Sequence, residues 1–195
     1  MLVPKHTAIA LTRPLPKYLN KAEVEAVLEN LRKKENLKNY LLVLLLWQTG
    51  ARVSELLQVK VEDIDFYNSN IKIPTLKRTG GKKQQRVLPL KHQTLALISL
   101  HINQKNLKKN DKLFNFTRQQ AFNIVRDAIL EVFPADKGRA HPHTLRHSFA
   151  VYCIANQVPI IVVKNWMGHA NINSTLIYTQ ILASDTKKFF DTLEF

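Results

Sequence analysis

The sequence predicts a mainly α protein carrying one small three-stranded antiparallel β-sheet, an α+β chain built round a single core. Three observations predict it. Apolar residues recur at helical spacing, with capping signals, through most of the chain. Between residues 64 and 90 that period gives way to short β-prone runs separated by turn signals. With 195 residues, 45% of them hydrophobic, the chain can bury one sizeable core and is too apolar for extensive disorder.

Taken in order, the first residues carry Pro4, Pro14 and Pro16 with no period, so residues 1–14 read as an arm or linker. The folded unit then spans residues 15–183. Asn20 is an N-cap candidate with Glu23 at the capping-box position, followed by Val24, Val27, Leu28 and Leu31 on one helical face. The run over residues 40–47 is apolar all round and predicts a helix buried on most sides, ended by Gly50 as a left-handed cap. Ser54 is the expected cap of a short helix that includes Glu55, Leu56 and Leu57. The three strands are placed near Asp65-Phe66-Tyr67, at Ile71-Lys72-Ile73 and at Arg86-Val87-Leu88-Pro89-Leu90. A turn at Asn68-Ser69-Asn70 and a loop with Gly80-Gly81 separate them.

Helical patterning returns at residues 94–102. After a basic connection at 105–112 comes a longer helix capped by Thr117 with Gln120, continuing through Ala121, Ile124, Val125, Ala128 and Ile129. Residues 143–156 should be helical, with Pro142 at the first turn. Leu145, Phe149 and either Tyr152 or Cys153 point inward there, and Arg146 lies on another face. A short apolar helix over 158–167 ends at Gly168, and a segment over 173–182 carries Tyr178. Residues 184–195 read as a capped amphipathic tail whose Phe189, Phe190 and Leu193 need a burial site.

Charge narrows the function. Against 15 acidic residues stand 29 Lys and Arg, a net charge of +14, which favours a polyanionic partner: nucleic acid first, an acidic membrane surface second. The single cysteine, Cys153, excludes an internal disulfide framework and sits in an apolar run as a small buried hydrophobe. The first residues lack the apolar stretch of a signal peptide, and residues 41–47 are too few to span a bilayer. The expected location is therefore cytoplasmic, with no membrane partner.

The chemistry concentrates in residues 141–178, with two histidines (His143, His169), Arg146 and a phenol at short spacings, and Arg52 far upstream. Two guanidiniums can clamp the non-bridging oxygens of a phosphodiester. A phenol with an ordinary pKa near 10 is ionised in only about one molecule in a thousand at neutral pH, so a nucleophilic Tyr178 needs a base, and His143 is a candidate. A leaving 5′-alkoxide needs a proton donor, which a lysine beside arginines can supply. The spacing His141-x-His143-x-x-x-His147 also suits a metal, but Arg146 would repel a cation and no cysteine partners it, so no metal and no cofactor are expected. Taken one at a time, each residue has a plainer reading: Tyr178 as a packing tyrosine, His169 as a turn residue, His147 as a packing or supporting group.

Together these motifs resemble the catalytic domain of the tyrosine recombinases, the phage integrase and Xer group. The matching stretches are Thr49-Gly50-x-Arg52-x-Ser54-Glu55-Leu56, His143-x-Leu145-Arg146-His147 and Met167-Gly168-His169, with Tyr178 nine residues further on. The lead-in Leu15-Pro16-Lys17-Tyr18-Leu19 also looks like the opening of that domain. The resemblance implies that Arg52, His143, Arg146 and His169 surround the scissile phosphate. Tyr178 then attacks it to give a 3′-phosphotyrosine and a free 5′-hydroxyl, without metal or ATP. The implied lysine is Lys77, with Lys82 and Lys83 as alternatives because the loop departs from the family's pattern. Glu55 and His147 are supporting residues, Arg78, Lys82, Lys83 and Arg86 are expected to contact DNA, and Gln180 stands where many relatives carry histidine. The expected partners are double-stranded DNA and further copies of the chain, a tetramer on DNA, with the tail docking in trans or in cis. Family members usually carry a helical domain before this one, and none is expected here. Two other readings remain: a type IB topoisomerase-like nicking-resealing enzyme, and a non-catalytic helix-turn-helix repressor suggested by the rhythm of residues 160–179.

Overall fold

The structure is a computed structural model that describes residues 16–79 and 82–179. Eight α-helices and one three-stranded sheet follow among them: α1 (Lys21–Lys33), α2 (Leu37–Thr49), α3 (Val53–Leu56), β1 (Ile64–Asp65), β2 (Asn70–Thr79), β3 (Lys82–Pro89), α4 (His92–Lys105), α5 (Arg118–Val132), α6 (Pro142–Ala155), α7 (Ile160–Met167) and α8 (Asn173–Leu176). A 3-10 turn at Ile177–Thr179 carries the last described residues. The predicted α+β class is the observed one.

Helix α2 is the hub. Leu41 to Leu46 are all buried, so this helix takes partners on every side: α1, α4 and α6. Each such leucine contributes roughly 1.5–3 kcal/mol relative to exposure, which is why an element with little amphipathic character still holds firmly. The helix stops at Gly50, whose φ of +57° costs any other residue strain. A Cβ at this position would collide with the Phe149 ring of α6, so glycine also lets α6 close on the end of α2. The capping boxes expected at Asn20/Glu23 and Thr117/Gln120 both form and start α1 and α5.

The sheet is antiparallel in the order β1-β2-β3, with Ile71 opposite Leu88 and Ile73 opposite Arg86. Ile71, Ile73 and Leu88 face the core. The first strand is shorter than expected, because Asp65 accepts from the backbone and side-chain amides of Asn68 and folds the chain into a turn, leaving Phe66 and Tyr67 exposed. The next two strands run further than expected, to Thr79 and from Lys82. A second packing cluster, Phe149, Ala150, Val151, Cys153, Ile154, Val163, Met167 and Tyr178, sits beside the main core, with Trp47 and Trp166 against both.

Two further differences bear on the site. Helix α3 begins at Val53, not after Ser54, because the Glu55 carboxylate reaches back to the Arg52 amide at 3.1 Å and makes Arg52 the N-cap. In α6, Leu145, Phe149 and Cys153 are buried and Tyr152 is partly exposed, but Arg146 is also buried, at 4% exposure, where another face was expected.

Candidate active site

The burial of Arg146 has a backbone cause. Helix ends leave carbonyls without intrahelical partners and carry partial negative charge. Both α2 and α7 end at left-handed glycines, Gly50 and Gly168, and Arg146 donates to Gly50 O at 2.5 Å and to Met167 O at 2.8 Å. One guanidinium thus ties together the C-terminal ends of two helices. Arg86 acts likewise from β3, donating from Nε to Trp166 O at 2.6 Å.

Glu55, 1% exposed, anchors the remaining donors. Its Oε1 accepts from Arg52 Nη1 at 2.9 Å and its Oε2 from Arg86 Nη2 at 2.8 Å. Burial alone would push this carboxyl up, but the charge and hydrogen bond of Arg86, with the contacts of Arg52, hold it below its ordinary value. Arg52 and Arg86 therefore share one carboxylate, and with Arg146 held nearby on backbone carbonyls the three guanidiniums and Glu55 leave a formal charge of +2. Burial first, and then repulsion from Arg52, draws the Arg146 pKa down to about 10, so it stays protonated at neutral pH.

The histidines and the phenol close round this centre. Tyr178 is 2% exposed, and its hydroxyl lies 2.6 Å from His147 Nδ1. Burial pushes the phenol up to about 12 against the pull of Arg146. His147 is pulled down to about 4 by burial, then by the charges of His143 and Arg146, so it is neutral at pH 7, and in the tautomer with its hydrogen on Nε2 its Nδ1 accepts from the phenol. His169 reaches about 4 by burial and the nearby Arg146, Arg52 and Arg86, and its Nδ1 pairs with Thr175 Oγ1 at 2.8 Å. His143, one turn before His147, has its ring centroid 6.4 Å from that of His147 and is lowered by burial and Arg146. It lines an open cleft of about 360 Å³ with Arg52, Ser54, Arg118, Phe122 and His141.

The structure thus brings Arg52, Glu55, His143, Arg146, His147, His169 and Tyr178 together. It differs from expectation at two of the named residues. Arg86, expected against DNA, turns its guanidinium inward with 9% exposure, held by Glu55 and Trp166 O. Tyr178 is paired with His147 and not with His143, the base expected. The side chains of Lys77, Arg78, Lys82 and Lys83, residue Gln180 and the tail lie outside the described part. Three contributors escaped the sequence reading: Arg86 as a buried strut, Thr175 as the partner of His169, and Arg118 on the cleft wall. Arg86 carried a signal, since it stands two residues before buried Leu88 and so lies on the same, inward face of β3.

A helical domain edged by three antiparallel strands, enclosing an arginine, histidine and tyrosine cluster, is the catalytic-domain fold of the tyrosine recombinases. The chain belongs to the phage integrase family, whose model matches residues 17–184. It is 34% identical over 184 residues to a tyrosine recombinase of Pseudothermotoga lettingae, covering 92% of this chain and 60% of that protein. It is 30% identical over 185 residues to tyrosine recombinase XerA of Pyrococcus furiosus, covering 91% and 62%. The chain therefore spans a little over half the length of these relatives. Among solved structures it superposes on XerA recombinase with a TM-score of 0.75 at 24% identity, covering 94% of this chain and 68% of that one. It superposes on XerH recombinase, in a post-cleavage complex with a palindromic difH substrate, with a TM-score of 0.74 at 28% identity, covering 92% and 54%. Among the described residues no helix is long and apolar enough to cross a membrane.

Proposed function

We propose that this chain is the catalytic domain of a site-specific DNA recombinase that breaks and reseals strands of double-stranded DNA through a 3′-phosphotyrosine. The observation that supports this best is the uncompensated +2 charge of Arg52, Arg86 and Arg146 around Glu55, beside a buried phenol hydrogen-bonded to an imidazole. A phosphodiester seated at the cleft brings one negative charge, and a pentacovalent phosphorane brings two. Preorganised guanidiniums favour the second by several kcal/mol over water. Arg52, 31% exposed, and His143 on the cleft wall are placed to reach non-bridging oxygens, while Arg146 stabilises charge from beneath. His169, held by Thr175, completes the ring of donors round the phosphate.

Tyr178 attacks phosphorus and expels the 5′-oxygen, which takes a proton from a lysine of the β2–β3 hairpin, with Lys77 first and Lys82 or Lys83 in reserve. The phosphotyrosine conserves the bond energy, so a 5′-hydroxyl of another strand reverses the step without ATP. The arginines supply the charge that a metal would otherwise bring. Arg78, Lys82 and Lys83 grip DNA backbone on the same hairpin. The enzyme works in the cytoplasm as a homo-oligomer on DNA, a tetramer when two sites are paired, and residues 184–195 link its copies.

The test is a nicked duplex library with a randomised target, incubated in EDTA and denatured to recover covalent protein–DNA adducts. Adducts with wild type and none with Tyr178→Phe are expected, and sequencing the recovered DNA gives the target. Tight DNA binding without any adduct would overturn the enzymatic reading.

A further inference from the structure

Two histidines on one face of α6, His143 and His147, are candidates for the proton of Tyr178, and the geometry divides their labour. From the 2.6 Å contact between Tyr178 Oη and His147 Nδ1, we infer that His147 takes the phenol's proton during strand cleavage and returns it during resealing. This deepens the recombinase reading and rests on it.

Three observations carry the assignment. The phenol is 2% exposed, so bulk water does not reach it as a base, and His147 Nδ1 is the hydrogen-bond partner recorded for it. The imidazole is neutral, and the tautomer with its hydrogen on Nε2 presents Nδ1 as the acceptor that the phenol faces. His143, by contrast, stands on the cleft wall with Arg52, on the side from which a phosphate enters. The two ring centroids are 6.4 Å apart, and it is the ring of His147, 6.0 Å from that of Tyr178 and tilted by 43° to it, that lies against the phenol.

The charges around His147 make the transfer depend on substrate. His143 and Arg146 on its own helix and His141 at that helix's N-cap hold it down together with burial, and Tyr178 and His169 face it from the C-terminal segment. With the phenol near 12 and the imidazole near 4, the resting pair stays neutral and no phenolate accumulates. A phosphodiester against Arg52 and Arg146 offsets the positive field on the ring and raises its basicity where the proton must go. The proton then moves as the bond forms: the Oη–P bond is made, the P–O5′ bond breaks, the Oη hydrogen passes to Nδ1, and O5′ takes a hydrogen from the hairpin lysine. Resealing runs each transfer backwards.

The test uses the full chain and the target sequence recovered from the adduct library, nicked and carrying either oxygen or sulfur at the 5′ position of the scissile phosphate. A 5′-thiolate leaves without a proton donor, so sulfur cancels defects in the acid and not in the base. His147→Asn keeps an acceptor near Nδ1 that cannot take a proton, and His147→Gln serves as the second variant should the first melt below the assay temperature. On both substrates His147→Asn is expected to form adduct about 100-fold or more slowly than wild type, in single turnover. Adduct formation at the wild-type rate would show that a hydrogen bond suffices and overturn the assignment. Restoration by sulfur would make His147 an acid and overturn it equally. Absence of adduct with wild type on either substrate would overturn the recombinase reading itself, and this inference with it.

Discussion

Replacing Glu55 with glutamine removes the carboxylate that Arg52 and Arg86 share, and the structure fixes the size of the effect. Glu55 is 1% exposed and Arg86 9%, so this is a buried pair with little solvent screening. Removing one partner of such a pair costs about 3–5 kcal/mol, because the other charge stays buried. The low end, about 3 kcal/mol, applies here, since Arg52 is 31% exposed and can turn to water. For a chain of 195 residues that corresponds to a fall in Tm of about 6–12 °C. Arg86→Met alone should cost about 2–3 kcal/mol, losing Trp166 O as well as Glu55. In the double variant neither buried charge remains, so its cost should fall short of the sum by about 2 kcal/mol. Urea unfolding of the four proteins at constant m reads this directly. The sign with pH also follows: the folded carboxyl lies below its ordinary value of 4.5, so its stabilisation is present above about that pH and fades as pH falls. Glu55→Gln should therefore flatten the acid limb. Additivity within about 0.5 kcal/mol would refute the shared-carboxylate account.

Two more outcomes are expected. Gly168→Ala places a Cβ 3.1 Å from Arg86 Nη1 at a φ of +64°, so it should cost about 1–2 kcal/mol in urea unfolding and slow adduct formation; no change in either would contradict the packing described. His147 and His169, drawn down to about 4 when folded from an ordinary 6.5, bind fewer protons in the folded than in the unfolded state between those values. Stability should therefore be full above pH 6.5 and decline towards pH 4, and NMR titration should show neither ring protonating until well below pH 6. Both rings titrating near 6.5 would refute their burial.

What the sequence disclosed was local. The capping boxes at Asn20/Glu23 and Thr117/Gln120 and the glycine stops at Gly50 and Gly168 are set by residues within a turn of one another, and each stands where expected. The site's residue types were legible because the chemistry needs them at defined spacing. The pairings among them were not. His143 and His147 lie one turn apart on one face of α6, and only the path of the chain through α8 and the 3-10 turn at Ile177–Thr179 decides which of them meets Tyr178. Arg86 read as surface charge because its partner, Glu55, is 31 residues away in sequence.

Arg146 shows why such pairings resist sequence reading and why they matter for function. A guanidinium in an apolar helix face looks misplaced until the carbonyls of Gly50 and Met167, 96 and 21 residues away, are brought to it. Those carbonyls are free because two helices end there, and they end there because glycine adopts the left-handed cap. The donors that satisfy two helix ends thus belong to a guanidinium at the centre of the arginine, histidine and tyrosine cluster. Fold and site share an arginine, so in the proposed reaction its guanidinium is already held in position when negative charge develops on the phosphorane. Lysine at this position would keep the charge but could not span both carbonyls with a planar fork. The loss would therefore fall on the positioning of α6 against α7, and through it on His147 and Tyr178, as much as on the charge itself.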